Sequence, residues 1–585
     1  MKSILNIICI LILHQILFGG TTGKLSGTLI DKETGEPLIG CNIIIEDTYL
    51  GTSSNEKGEY ALLNIPPNTY SIRFEMIGYK KLVNEGVTII SDKTTSLNGE
   101  LVSSVIAGEE VVVVAEKKLI QFDVTQSEAI ISSEELEGMP VTEVSEVLRL
   151  QGGVTVDSDG GIHMRGGRTS EVSYMVDGVP MSDLYDGGIG VQIENDNIQE
   201  LQVISGTFNA EYGRALTGVV NMVTKDGGNQ FEGSLHTYAG DYQSSDKIYN
   251  NLNNLDLEDD YSVSASLSGP ILKDKVTFYS SGRVNQSKGW LNGLQTFTIY
   301  GDTIFKDQNN NRYLDGNEEQ KDPYYKGLNW HSSWSTQNKV TFNLLKGTTF
   351  KINTILNSRE SQDYNFALQL LEDAQITNFN RGRFLGLSIS HTLSPTSFLQ
   401  VNVSENKYNY ESYLFEDPLD NRYITPDSLF LARLENRIPD HIIEQYGDQV
   451  QYFPAYSLYR AGVDNRRFKR ETKTNNYKLD FTSQINKYNQ VKLGLDFSSH
   501  SLMLDTYSLL DSTLTDQVYT PIIPDKESFT RSYYVRKPTE FAIYAQDKIE
   551  YGDMIINLGV RYESFNPNAK IPNNIHEPYI KDPRN

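Results

Sequence analysis

From Asn229 onward the chain alternates apolar and polar residues with a period of two, and this pattern constrains its fold more than any other feature. Val263, Ala265 and Leu267 are separated by serines; Val340, Phe342 and Leu344 are separated by Thr341 and Asn343. Tyr477, Leu479 and Phe481 alternate with Lys478 and Asp480, and Val491, Leu493, Leu495 and Phe497 with Lys492, Gly494 and Asp496. Ile556, Leu558, Val560 and Tyr562 repeat the pattern against Asn557, Gly559 and Arg561. Successive side chains of a strand point to opposite faces, so each segment reads as a strand with one apolar and one polar face. A soluble sandwich shares that property, whereas a membrane-spanning barrel strand requires it over about ten residues. The connections alternate as well: 270–274 and 345–347 are short, while 288–335, 360–380 and 413–470 are long and acidic or aromatic. Short turns at one end and long loops at the other are the rule for such barrels, and roughly eleven strands are expected here.

Residues 1–22 carry Lys2, an apolar run from Ile4 to Phe18 and then Gly19-Gly20-Thr21-Thr22, the pattern of a secretory signal. No later stretch approaches about 18 continuous apolar residues, so any membrane crossing is expected to use strands. A mean hydropathy of −0.41 and 35 tyrosines agree with that, since only alternate barrel residues need be apolar and Tyr suits interfacial girdles. The net charge of −24 argues against nucleic acid, which requires clustered Lys and Arg. Of the two cysteines, Cys9 lies in the signal segment, so Cys41 is left without an internal disulfide partner and reads as a small buried strand residue.

Residues 24–103 show short apolar stretches punctuated by turn signals: KLSGTLI, CNIIIE, YALLNI, YSIRFEMIGY and GVTII, separated by Lys32-Glu33-Thr34-Gly35, Asn55-Glu56-Lys57-Gly58 and Pro66-Pro67-Asn68. Strands recurring about every ten residues predict a small Ig/prealbumin-like β-sandwich. The stretch 109–118 follows, with Glu110, Val111, Val112, Val113, Val114 and Ala115 at its centre. Four valines favour an extended strand, either free or as the last strand of the sandwich. Between Ile130 and Val154 the pattern turns helical, with Thr142 placed to cap a turn bearing Val144, Val147 and Leu148, and Gly152-Gly153 placed to end it.

Two glycine-punctuated blocks come next, MRGGRTSEVSYMVDGVP and IQELQVISGTFNAEYGRALTGVVNMVTKDGG. They resemble the plug of TonB-dependent outer-membrane receptors. The matching residues are Arg165, Gly166, Asp177, Gly178, Val179 and Pro180 in the first block, and Glu200, Gly206, Tyr212, Gly213, Gly218, Asn221, Thr224 and Lys225 in the second. Where that family usually has a Gly pair before the Asn, this chain has Gly218-Val219-Val220. The N-terminal stretch similarly resembles the carboxypeptidase-regulatory-like domain, an appendage without peptidase activity in that family. Arg165 with Asp177, and Glu200 with Arg214, are candidate ion pairs fixing the plug.

The resemblance implies a mainly β chain: a sandwich, a TonB box at 110–115, an α/β plug over 120–226, and the first half of a transmembrane antiparallel barrel over 229–585. The family's barrel closes with about 22 strands, so the expectation is of a piece lacking the remainder. The implied function is import without covalent chemistry: an extracellular small ligand binds outside, and TonB with ExbB and ExbD pulls the box by β-augmentation to remodel the plug. The alternative is an outer-membrane adhesin or glycan-binding scaffold. Ala115-Glu116-Lys117-Lys118 stands where SusC-like porters often carry GYG, which argues against a SusD-type lipoprotein partner. No cofactor is implied, but Asp307, Asn309, Asn311, Tyr313, Asp315 and Glu318 have the spacing of a calcium loop, with Arg312 where Gly is usual. His441 and Glu444 have the spacing of two zinc ligands without a third, so a peptidase is not expected.

Overall fold

The computed structural model describes residues 22–103, 110–114, 127–297, 324–423, 462–511, 521–551 and 554–569, apart from one or two positions at a time, together with a few short pieces elsewhere. Residues 1–21 of the signal segment, Ala115, Thr142, the calcium-loop residues Asp307, Asn309, Asn311, Asp315 and Glu318, and the pair His441 and Glu444 lie outside the described residues. Tyr313 falls in a two-residue strand, Arg312–Tyr313, paired with Phe305–Lys306.

The first unit is the expected sandwich. Its strands are β1 (Gly23–Asp31), β2 (Asn42–Ile45), β3 (Gly51–Ser53), β4 (Glu59–Ile65), β5 (Asn68–Glu75), β6 (Lys81–Ile89), β7 (Thr94–Ser96), β8 (Gly99–Leu101) and β9 (Glu110–Val114). One sheet runs β4-β1-β7 with β8 also on β1; the other runs β3-β2-β5-β6-β9. Leu25, Leu29, Cys41, Ile43, Ile45, Ile72 and Phe74 fill the space between them. Strand β9 corrects the domain boundary expected at 103. The valine run pairs in parallel with β6, from Lys81 opposite Glu110 to Glu85 opposite Val114, and so stands as the outermost strand of the sandwich. An extended valine segment needs partners for its backbone groups, and the open edge of β6 supplies them.

The second unit is a five-stranded sheet, β10-β15-β16-β13-β14, with a β11–β12 hairpin beside it. Its strands are β10 (Ser127–Ser132), β11 (Val154–Val156), β12 (Ile162–Met164), β13 (Val172–Val176), β14 (Val179–Pro180), β15 (Ile198–Ser205) and β16 (Gly218–Thr224). Helix α1 (Ser133–Glu137) is capped by Ser132, whose hydroxyl accepts from Glu135 N at 3.4 Å while the Glu135 carboxylate accepts from Ser132 N at 3.2 Å. Helix α2 (Val144–Arg149) starts after Glu143 rather than at the expected Thr142; Glu143 N donates to the Glu146 carboxylate at 3.3 Å. Val147, Leu148, Ile198, Leu201, Val220 and Met222 form its core.

The third unit is one antiparallel sheet, referred to below as the wall. Its strands are β17 (Glu232–Gly240), β18 (Asp260–Leu272), β19 (Val276–Ser287), β20 (His331–Leu345), β21 (Thr348–Ser361), β22 (Thr377–Ser394), β23 (Ser397–Tyr413), β24 (Arg466–Gln484), β25 (Asn489–Ser508), β26 (Arg531–Arg536), β27 (Thr539–Tyr551) and β28 (Met554–Asn566). Each pairs with its chain neighbours, except that β26 and β27 share β25; among the described residues the sheet does not close, and β17 and β28 are its edges. The alternation falls as the sequence requires. Tyr477, Leu493, Phe497, Leu558, Val560 and Tyr562 are exposed on the outer face, whereas Lys478, Asp480 and Lys492 are buried on the inner one.

Short turns after β18, β20, β22, β24 and β27 share one end of the wall, and the sandwich docks there. Asn64 donates to Ser390 at 2.7 Å, Lys487 pairs with Glu59 at 3.3 Å, Lys24 pairs with Glu550 at 2.7 Å, and Asn229 donates to the Asp47 carbonyl at 2.8 Å. At the other end the long loops build a core of their own from Phe297, Leu368, Leu371, Phe415, Tyr423 and Leu509.

Candidate functional site

The two motif turns owe their shape to backbone handedness. Asp177 and Gly178 both have positive φ, 48° and 76°, and join β13 to β14. Arg165 and Gly166, at 49° and 78°, close the turn in which Gly167 N donates to Met164 O at 2.9 Å. Two successive left-handed residues make a type I′ turn, which favours Gly at the second position. Gly218 is fixed by packing instead: a Cβ there would lie 1.9 Å from the Met164 sulfur, so the first Gly is needed while Val219 and Val220 are simply core.

From these turns a polar network runs to the wall. Asp177 accepts from Thr224 N at 2.9 Å and from Thr224 Oγ1 at 2.8 Å. Asn353 on β21 donates to it at 3.0 Å, and Lys339 on β20 lies 3.3 Å from it. Asn221 donates to Gln202 at 2.9 Å and accepts from Gly178 N at 3.3 Å, and the Gly178 carbonyl accepts from Lys478 on β24 at 3.2 Å. Lys225 pairs with Glu137 at 2.7 Å, within the plug.

Four cations of the wall are each met by two carboxylates. Arg283 pairs with Glu194 at 2.7 Å and Asp196 at 2.8 Å. Lys339 lies 3.3 Å from both Asp177 and Asp226. Arg470 pairs with Asp186 at 2.6 Å and Asp183 at 3.2 Å, and its guanidinium lies over the rings of Tyr185, Tyr408 and Tyr410. Lys492 contacts Glu211 and lies 3.5 Å from Asp92 of the sandwich. One pair runs the other way, from plug Arg214 to wall Glu540. Burial alone would raise the Asp226 carboxyl, but Lys339 and Lys351 outweigh it and hold it well below the usual range.

These contacts revise two pairings expected from sequence. Asp177 meets Lys339 rather than Arg165, whose guanidinium instead packs on Gly206. Arg214 meets Glu540 rather than Glu200, which accepts from Ser91 N of the sandwich at 3.4 Å and from Gln202 at 2.7 Å. Tyr212 reaches Asp92 at 3.3 Å, and Gly213 leaves room for Arg561 and Glu563, which a Cβ would meet at 2.5 Å. The wall cations were missed in the sequence. Their signal was a Lys or Arg on the inner face of an alternating strand, as at Lys339, Arg470, Lys478 and Lys492.

Ion pairs and hydrogen bonds make up much of this interface, to which wall residues Ile355 and Phe384 add apolar contact with the plug core. Buried ion pairs add little net stability once desolvation is counted, and water can replace each partner as the surfaces part.

Comparison with known proteins agrees with this geometry. Residues 25–113 match the family described as CarboxypepD_reg-like domain, and residues 121–220 match the TonB-dependent Receptor Plug Domain. The chain is 25% identical over 279 residues to the TonB-dependent transporter Oar of Myxococcus xanthus, covering 43% of this chain and 26% of that one. It is 26% identical over 202 residues to a probable TonB-dependent siderophore receptor, PirA of Acinetobacter baumannii, covering 31% of this chain and 25% of that one. The chain therefore spans about a quarter of the length of these relatives. Among solved structures, the outer membrane transporter YddB from Escherichia coli superposes with a TM-score of 0.51 at 13% identity, covering 75% of this chain and 56% of that one, a likeness of fold. These relatives are receptors and transporters, not enzymes.

Proposed function

We propose that this chain imports a nutrient through the outer membrane under TonB control, because it matches the CarboxypepD_reg-like domain and the TonB-dependent receptor plug and sets them against a strand wall with a polar inner face. The observation that carries this reading is the plug–wall interface. The plug is held by paired charges of wall and plug, the construction suited to a stopper that is moved repeatedly. The sandwich and short turns face the periplasm, and the long loops and the Tyr185–Arg470 cluster face outward, where ligand is met. Ligand candidates are an oligosaccharide, a peptide or a metal chelate.

Strand β9 is the TonB box in this reading, stored on the edge of the sandwich. Val111, Val112 and Val113 are 40, 52 and 46% exposed, and the outer edge of β9 is unpaired among the described residues. TonB, energised by ExbB and ExbD, would pair with this strand backbone to backbone. The loop 307–318 is a candidate structural calcium site in the external region.

The test is energy-dependent accumulation in cells expressing the full-length gene, comparing wild type with Val112→Pro. Proline removes one backbone donor and leaves wall and loops intact. Accumulation of the imported compound should be lost while surface binding persists. Equal accumulation by both would favour the adhesin or scaffold reading.

A further inference from the structure

Strand β6 ends at Ile89, and the chain then turns through Ser91, Asp92 and Lys93 before entering β7. This turn is wedged between plug and wall. Ser91 is fully buried; its N–H donates to Glu200 at 3.4 Å and its carbonyl accepts from Gln202 at 3.4 Å, both residues of β15. Asp92, at φ 57°, accepts from the Tyr212 hydroxyl at 3.3 Å and lies 3.5 Å from Lys492 of the wall. Lys93 forms an ion pair with Glu128 of β10, both side chains largely buried. A small polar cavity lined by Asp92, Lys93, Glu128, Gln202, Tyr212 and Lys548 lies at the junction of the three units.

The position of β10 gives these contacts their meaning. It is an edge strand of the plug sheet and the first plug strand after β9 in the chain. Its antiparallel register with β15 begins at Ser127 opposite Ser205 and ends at Ser132 opposite Glu200. Tension arriving along the chain from β9 reaches Ser127 first, and a pull directed across the strand would load the ladder one pair at a time. The pair Lys93–Glu128 sits on the second residue of that strand, and Ser91 holds the partner strand at Glu200 and Gln202. We propose that the Ser91–Asp92–Lys93 turn is a lock on the plug, stapling the strand that a pull would peel first and so setting the load at which the plug opens.

Handle and lock share one strand. The residues that hold β9 are Lys81–Glu85 of β6, and the same strand runs on to Ile89 and into the turn. A pull on β9 therefore loads the sheet that carries the lock before it loads the segment leading to Ser127. As the turn withdraws, water from the adjoining cavity can solvate Glu128 and Glu200. The sandwich thus acts as a gatekeeper of the plug instead of a passive appendage. The lock rests on the receptor reading for the source of the pull alone.

The test uses the full-length receptor in lipid bilayers, pulled at constant force through a handle on Lys118→Cys; the native Cys41 is fully buried and does not compete for the label. The readout is the waiting time before the plug first extends. Lys93→Glu and Glu128→Lys should each shorten it by about tenfold, the scale expected for losing one charge-assisted contact. The double variant Lys93→Glu/Glu128→Lys should restore it, which a general loss of folding could not do, and Lys93→Ala serves where charge reversal impairs insertion. Waiting times of both single variants equal to wild type, or a double variant no better than either single one, overturn the lock. Shortened times together with no binding of the TonB C-terminal domain to β9 would instead sink the receptor reading, and with it the regulatory role of the turn.

Discussion

Lys339 is buried among Asp177, Asp226 and Thr224, with both of its carboxylate partners on the plug. Replacing it by Met removes one cation from Asp177 and Asp226, of which Asp226 keeps Lys351 and Asp177 keeps Thr224 and Asn353. The cost should therefore fall below the ~3–5 kcal/mol of a fully unpaired buried charge. Lys339→Met should lower the urea midpoint of plug unfolding, read from Tyr174 environment or amide exchange of β16; an unchanged midpoint would mean that water already carries these charges. Gly178 tests the turn. With φ at 76°, Gly178→Ala should destabilise the plug by about 1–2 kcal/mol, the cost of a left-handed non-glycine residue. Glu200 tests the lock by pH. Burial, with Asp92 adding, pushes its carboxyl up to about 7 from the usual 4.5. A group raised in the docked state holds its proton there, so docking is favoured at low pH and weakens as pH rises from about 4.5 through about 7. Amide protection of the Ser91–Lys93 turn should be greater near pH 5 than near pH 8, and Glu200→Gln should flatten the difference while leaving Asp92, Lys492 and the Lys93–Glu128 pair in place. These residues also mark the limit of sequence reading. Asp177-Gly178 announces a turn by its residue types, but Lys339 lies more than 160 positions away, and no local pattern connects them.

At the scale of elements, the strands of the wall were legible because one physical demand, apolar outside and polar inside, repeats along them. Partner choice was less legible. Val111, Val112 and Val113 specify an extended strand by propensity, and propensity does not say whether that strand stands free or completes a sheet. The structure pairs it with β6. Val112→Pro should therefore have two effects: weaker pairing with TonB, and lower amide protection in Lys81–Glu85 of β6. Protection in β1 and β4 of the opposite sheet should be unchanged, and a loss there would mean that β9 supports the whole sandwich. The turn after β6 reads in sequence only as ISDK, an ordinary polar connection. Its importance arises from what the fold brings against it, Glu128 and Glu200 from one unit and Lys492 from another.

Across the whole molecule, the three units differ in what holds them. The wall strands, 12–20 residues long from β18 to β25, pair along nearly their full length. The plug has an apolar core of its own that also takes in Ile355 and Phe384 of the wall, and charged pairs ring that contact. Rising denaturant should consequently release the plug before the wall, with plug amides exchanging at a concentration that leaves β24 and β25 protected; simultaneous loss would show that the plug is integral to the wall. That Arg283, Lys339, Arg470 and Lys492 each face two carboxylates, Asp226 being shared with Lys351, has a further consequence. In the closed state the counter-charge of these four side chains belongs to the stopper and the sandwich. If import proceeds as proposed and these withdraw, the wall cations lose those carboxylates, while Asp480 of the wall stays beside Lys478. On that reading, an acidic solute would find positive sites on the inner face of the wall in place of the plug's carboxylates.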